Sequence, residues 1–211
     1  MNKKIKIFLL AIFAFILLTF FNSADANSID SISMDIAIDD NGNASITEIW
    51  NCNVTDGTEV YHPYYNLGNS NITNLSVSEN GTSYTSLSSW KTSDSLSDKA
   101  YRCGINKISN GVELCWGISK YGSHSYEVKY NISNFVSELT DSQMIYWTLI
   151  PYDFSNPIGN VYIKIHSNFN IPDSVGVWGY GNYGGTAYVY DGYIEMQSDG
   201  RLASSEYMTI L

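Results

Sequence analysis

Histidine, cysteine and arginine are the side chains here best suited to catalysis, and the chain holds few of them. His62, His124 and His166 stand apart, none within five residues of another. No H-E-x-x-H sets two of them on one helix face to hold zinc. There is no G-x-S-x-G elbow and no C-x-x-C, and no glycine-rich turn opens a helix to cradle a phosphate. One nucleophile constellation can be written down, a Cys/His/Arg transpeptidase on a β-barrel. It needs a cysteine activated by a neighbouring base or cation and an arginine on the oxyanion. Cys115 is its candidate, but it lies inside an alternating strand beside Trp116, and the later arginine, Arg201, is remote in sequence. Asp39, Asp40 and Asn41 resemble half of a calcium loop. No later carboxylates complete the ligand spacing and no glutamate closes twelve residues, so a plain turn is expected there. The expectation is no catalytic residue, no metal site and no cofactor.

Aromatic rings are the other chemistry on offer. The chain has 17 tyrosines and 5 tryptophans. Trp178, Tyr180, Tyr183, Tyr188, Tyr190 and Tyr193 crowd around a loop containing Gly179, Gly181, Gly184 and Gly185. Exposed rings stack on sugar faces, so Trp178, Tyr180 and Tyr183 are candidate ligand-binding residues. Strand tyrosines more often pack the ring inside with the hydroxyl at the rim, and that is the expectation for Tyr188 and Tyr190. Matches to Asn-x-Ser/Thr, such as the one at Asn53, are common by chance in a chain this rich in Asn and Ser, and imply no glycosylation.

The elements that position these residues are strands. Residues 32–38 and 44–50 alternate apolar and polar around an Asp39-Asp40-Asn41-Gly42 turn, which predicts a hairpin. Residues 72–79 and 82–90 flank Asn80-Gly81 in the same way. The central stretch, residues 111–136, reads as two more strands joined at 117–122 and predicts another hairpin. Pro63 makes residues 61–67 an edge strand or a loop. Residues 91–99 are polar without period, predicting an exposed loop. Residues 144–150 are a short apolar run that fits a strand buried on both faces. Residues 160–166 alternate, Asp191-Gly192 turns between two strands, and 206–211 ends as a strand. Roughly twelve short strands without a long amphipathic helix predict an all-β, antiparallel sandwich.

Residues 1–26 read as a leader: Lys3, Lys4 and Lys6, an apolar run at 7–21, then Ala24-Asp25-Ala26 as a small-residue cleavage site. The apolar run is short for a helix crossing a ~30 Å hydrocarbon core. Cleavage after Ala26 leaves one extracytoplasmic domain at 27–211 and takes the net charge from −10 to −12. Without a basic stripe, nucleic acid and anionic membrane surfaces are not expected partners. Cell-wall glycans and surface proteins remain candidates. Cys52, Cys103 and Cys115 are an odd count, so one chain cannot pair them all. Cys103 and Cys115 flank the turn at Asn110-Gly111 and could form a cross-strand disulfide, three buried thiols being the alternative.

An ordered set of pieces resembles a known family. Residues 40–48 (DNGNASITE) are similar to the opening of the YciQ-like predicted bacterial membrane proteins. Leu114-Cys115-Trp116-Gly117-Ile118, with Tyr126 and Tyr130, is similar to the middle of that domain in Gram-positive members. Residues 141–147, Pro157-Ile158, residues 177–181, Asp191-Gly192 and residues 207–211 continue the likeness in order. The resemblance implies an extracytoplasmic β-rich domain tethered by membrane helices beyond it, and it supplies no activity. By that comparison the chain is expected to be a piece cut before its membrane segment, with secretion as the alternative. The expected role is a non-catalytic, exported binding or structural domain at the cell surface. Its alternative is a glycan or cell-wall module using residues 178–193, and the cysteine transpeptidase is third.

Overall fold

The computed structural model describes residues 27–152, 154 and 156–211; the leader expected at 1–26 lies outside them. The described chain is built from strands β1 (Ser28–Ile38), β2 (Ala44–Val54), β3 (Glu59–Tyr65), β4 (Ile72–Glu79), β5 (Thr82–Ser83) and β6 (Thr85–Leu87). A single turn of helix, α1 (Leu96–Lys99), precedes β7 (Arg102–Ile108), β8 (Gly111–Gly117), β9 (Gly122–Ile132), β10 (Val136–Glu138) and β11 (Gln143–Ile145). Then follow β12 (Trp147–Ile150), β13 (Ile158–Ser167), β14 (Gly179–Tyr180), β15 (Thr186–Tyr190), β16 (Tyr193–Gln197) and β17 (Met208–Ile210).

An eight-stranded sheet, in the order β15-β16-β13-β1-β2-β9-β4-β5, covers a four-stranded one, β3-β8-β7-β6. The all-β sandwich expected from the sequence is present. A three-stranded sheet, β12-β17-β14, and the pair β10-β11 complete it. Alternation explains the layering. Ile32, Met34 and Ile36 of β1, Ile46 and Trp50 of β2, and Tyr126, Val128 and Tyr130 of β9 are buried, while their neighbours in sequence face water. Trp50 meets Trp116 of the smaller sheet edge to face, with centroids 5.2 Å apart. Each buried side chain of this size contributes roughly 1.5–3 kcal/mol by leaving water.

The sheets are not purely antiparallel, because β1 runs parallel to β13 and β6 parallel to β7. Two other strand readings need correction. β8 and β9 do not form a hairpin: β8 pairs with β3 and β7, whereas β9 pairs with β2 and β4. Both strands are apolar on the inward face, and crossing between sheets lets Trp116 and Tyr126 bury against each other, 5.8 Å apart, instead of lying side by side. The apolar run at 144–150 divides into β11 and β12, which join different sheets and leave Tyr146 exposed between them.

The polar stretch 91–99 is also not simply an exposed loop. Ser95 caps α1, and Lys99 is buried, with Nζ bound to Glu59 Oε2 (2.8 Å), Thr58 Oγ1 (2.9 Å) and the Thr92 carbonyl (2.6 Å). Pro63 does sit on an edge strand, β3, where its missing N–H costs no ladder bond.

Candidate ligand-binding cleft

The side chains with the most chemical potential are sealed inside the sandwich. Glu48 of β2 and His62 of β3 are fully buried, with His62 Nδ1 at 3.0 and 3.1 Å from the two carboxylate oxygens. His62 Nε2 donates to the Leu149 carbonyl of β12 at 2.9 Å. A carbonyl only accepts, so Nε2 carries a proton. The carboxylate already takes the Trp50 N–H (2.5 Å) and the Tyr130 hydroxyl, and Tyr64 donates to Tyr130 at 2.5 Å. These donors, with Nδ1–H of His62, make the arrangement an imidazolium held against a carboxylate. Burial alone would raise the Glu48 carboxyl. The His62 charge and the hydrogen bonds from His62, Tyr130 and Trp50 outweigh it and hold the carboxyl below its ordinary range. Burial and the Glu48 charge push the Tyr64 and Tyr130 phenols well up.

A second unit repeats the design across β4 and β9. His124 Nδ1 meets Glu79 Oε1 at 2.6 Å and Nε2 meets the Lys120 carbonyl at 2.8 Å, while Tyr84 and Ser119 donate to Glu79 Oε2. Sequence reasoning missed both pairs, although a clue was present. Glu48 shares the inward parity of Ile46 and Trp50, Glu79 that of Leu75 and Val77, and His124 that of Tyr126 and Val128. A charge at an inward strand position calls for a buried partner. Neither pair opens to a substrate, so both serve the fold.

The cysteines are free and buried, as in the alternative of three buried thiols, and Cys103 and Cys115 do not form the cross-strand disulfide considered for them. In the β7–β8 register Cys103 lies opposite Trp116 and Cys115 opposite Gly104. Adjacent positions point to opposite faces, so the two sulfurs lie on different sides of the sheet. Burial, with the nearby charges of Glu59 and Glu113, pushes the Cys115 thiol far up. That is the reverse of an activated thiolate, which removes support from the transpeptidase reading.

The aromatic cluster divides between two sides of the molecule. Gly179 of β14 faces inward, since a Cβ there would meet Ala187 and Met196 at 3.1 and 3.5 Å. Its neighbours Trp178 and Tyr180 therefore face away from the large sheet, 56% and 45% exposed. Tyr188 and Tyr190 share one face of β15 as expected, but it is the outer, solvated face, so their rings are not packed inside. There Tyr162 and Tyr188 each donate to Glu195 at 2.6 Å, and Lys164 Nζ lies 3.9 Å from the Tyr193 ring centroid. Tyr183, 97% exposed in the loop, belongs to neither face.

A cleft of about 1190 Å³ opens elsewhere, at the loop end of the sandwich. Its walls are the β1–β2 turn (Asp40 to Gly42), the β3–β4 loop (residues 65–70), the β7–β8 turn (108–110), and residues 134–138 and 143–152 in part. Asn41, Asn66, Asn69, Asn110, Asn134 and Gln143 bring carboxamides, and Tyr65, Tyr146, Trp147 and Tyr152 bring rings. Among the described residues, Asp40 and Glu138 are the charged residues of the lining, and none of its side chains is Lys, Arg or His. The rim is braced. Asn134 Nδ2 donates to the Asn69 carbonyl (3.1 Å), the Asn66 N–H to that of Asn110 (3.0 Å), and Trp147 Nε1 to that of Phe135 (2.8 Å) while its ring stacks on Phe135. Asn66 and Asn134 take left-handed backbone angles, φ 56° and 51°, which asparagine tolerates better than most residues. No group of three or more His, Cys, Asp and Glu among the described residues is placed to hold a metal ion.

No curated protein matches the sequence. Native leukotriene A4 hydrolase from Saccharomyces cerevisiae is similar in fold, with TM-score 0.50 and 7% identity over 88% of this chain and 29% of the hydrolase chain. The yeast enzyme with bestatin gives TM-score 0.51 and 8% identity over 87% and 28%. An M1 zinc metallopeptidase variant from Deinococcus radiodurans follows at TM-score 0.44 and 10% identity, over 88% and 42%. The chain thus spans under a third of the yeast hydrolase chains, and the likeness is one of fold alone. No helix among the described residues is long and apolar enough to cross a membrane. The sequence itself matches the family described as predicted membrane protein (DUF2207) N-terminal domain over residues 28–210, and the chain belongs to that family.

Proposed function

We propose that this chain is an extracytoplasmic, non-catalytic binding domain of a membrane protein, with the loop-end cleft as its ligand seat. The observation that carries the reading is the contrast between interior and surface. His62 and His124 are buried against Glu48 and Glu79, the three thiols are buried and unpaired, and His166 is held by Asp35 on the outer surface away from the cleft, whereas the cleft offers amides and rings to a ligand. Membership of a membrane-protein family and the leader-like residues 1–26 support an outward-facing, membrane-tethered location. Envelope components, glycan or protein, are the proposed partners.

Co-sedimentation with purified cell envelopes tests this. The wild-type protein should pellet with the envelopes, and Tyr146→Ala/Tyr152→Ala should stay in the supernatant. Both tyrosines are exposed, so their loss should leave the fold intact. A wild-type protein that fails to pellet, or a variant that pellets equally, sinks the proposal.

A further inference from the structure

The three-stranded sheet links the cleft to the outward aromatics of β14. Thr148 of β12 pairs with Thr209 of β17, which pairs with Tyr180 of β14. Directly opposed residues in antiparallel strands project to the same side. The Thr148 and Thr209 hydroxyls meet at 2.7 Å. Thr148 lines the cleft and Thr209, 4% exposed, lies beneath the surface, so the row Thr148–Thr209–Tyr180 sets the exposed Tyr180 two strand spacings, or about 10 Å, from the cleft wall. Trp178, two residues before Tyr180, continues that face. A second path runs through rings. Tyr152, in the cleft wall, meets Tyr207 edge to face at 6.4 Å, and the Tyr207 ring lies against Gly181, beside Tyr180.

We infer that the cleft and this face form one track for an extended, neutral glycan chain. This rests on the binding-domain reading above and names its ligand class. A sugar ring presents apolar C–H faces and a rim of hydroxyls that both donate and accept. Tyr65, Tyr146, Tyr152, Tyr180 and Trp178 supply flat apolar surface for the faces. Carboxamides, each with two donors and an acceptor, suit hydroxyls whose direction varies along a chain. With Asp40 and Glu138 in the walls and no cationic side chain among the described lining residues, an anionic polymer would be repelled. The distance from the cleft to Trp178 exceeds one sugar, so several residues of a polymer are engaged together.

Calorimetric titration tests the track. The probes are cello-oligosaccharides and β-1,4-linked N-acetylglucosamine oligomers from dimer to hexamer, with oligogalacturonates as anionic probes and an extended uncharged peptide for comparison. Neutral oligomers should bind, with affinity rising by about tenfold or more from dimer to hexamer. Oligogalacturonates should bind at least about tenfold more weakly. Tyr146→Ala/Tyr152→Ala should lose binding at every length. Trp178→Ala/Tyr180→Ala should lose the gain in affinity with length. If that gain survives in the β14 variant, the track is refuted. If neutral oligomers do not bind, or the peptide binds in their place, while envelopes still pellet the protein through the cleft, the glycan inference fails and the binding-domain reading stands. If nothing binds through the cleft, both fall.

Discussion

Glu48 and His62 join the two sheets of the sandwich through a 3.0 Å contact at which neither side chain is exposed, and the far nitrogen of the same imidazole holds β12 at Leu149. One residue thus ties the large sheet, the small sheet and the strand that opens into the cleft. Removing either partner leaves the other's polar atoms unmatched in the core. Glu48→Gln and His62→Ala should each destabilise the chain by about 3–5 kcal/mol in urea unfolding. The double variant should cost clearly less than the sum. Additive losses would show that the two do not act as a pair.

The same pair sets a dependence on acid. The folded Glu48 carboxyl lies below its ordinary value of 4.5, so its contribution is complete above that value and is lost as pH falls through the folded one. The stability gap between wild type and Glu48→Gln should therefore narrow below about pH 4. A gap independent of pH down to the acid transition would contradict the ionised state.

Thiol accessibility offers a direct check on the interior. Cys52, Cys103 and Cys115 are buried, and burial pushes the Cys52 thiol up to about 12. No cysteine should react with a thiol reagent in the folded chain, and all three should react in denaturant. Rapid labelling of Cys115 in the native state would revive it as a nucleophile.

Lys99 anchors α1 and the preceding loop through Glu59, Thr58 and the Thr92 carbonyl, with Trp90 Nε1 also on Glu59. Lys99→Ala should cost about 2–3 kcal/mol, since Glu59 retains some access to water. It should also open residues 90–99 to proteolysis ahead of the strands. Unchanged cleavage there would show that the lysine is not the anchor.

On the outer face, the hydrogen bond to Glu195 is the main cause that pushes the Tyr162 phenol up to about 12, and it raises Tyr188 as well. Glu195→Gln should bring two tyrosines back toward ordinary titration near 10 in ultraviolet absorbance. An unaltered titration would place the phenols elsewhere.

The strands were legible because their signals are local. Asp39 accepts from the N–H groups of Asn41 and Asn43, and Gly42 takes φ 74°, so the first hairpin is written in four residues. Asn80 and Gly81, at φ 49° and 78°, likewise turn β4 into β5, although only two rows pair before the chain crosses to β6. Sheet membership was not legible, because alternation marks which side chains face inward and not which strand lies alongside. That is why β8 and β9, alike in pattern, were expected to pair and instead face each other. The cleft was hidden for a related reason. Its asparagines come from loops as far apart as Asn41 and Asn134, and only the fold brings them together. Trp178 and Tyr180 were visible as aromatics, but Gly179, packed on Ala187, is what turns them outward.

The most direct measurement is hydrogen exchange of the protein with and without the envelope fraction that pellets it. A ligand seated in the cleft should slow exchange in residues 65–70, 108–110, 134–138 and 143–152, extending to 178–180. Protection confined to the outer face around Tyr162 and Tyr188, or none at all, would contradict the cleft as the binding site.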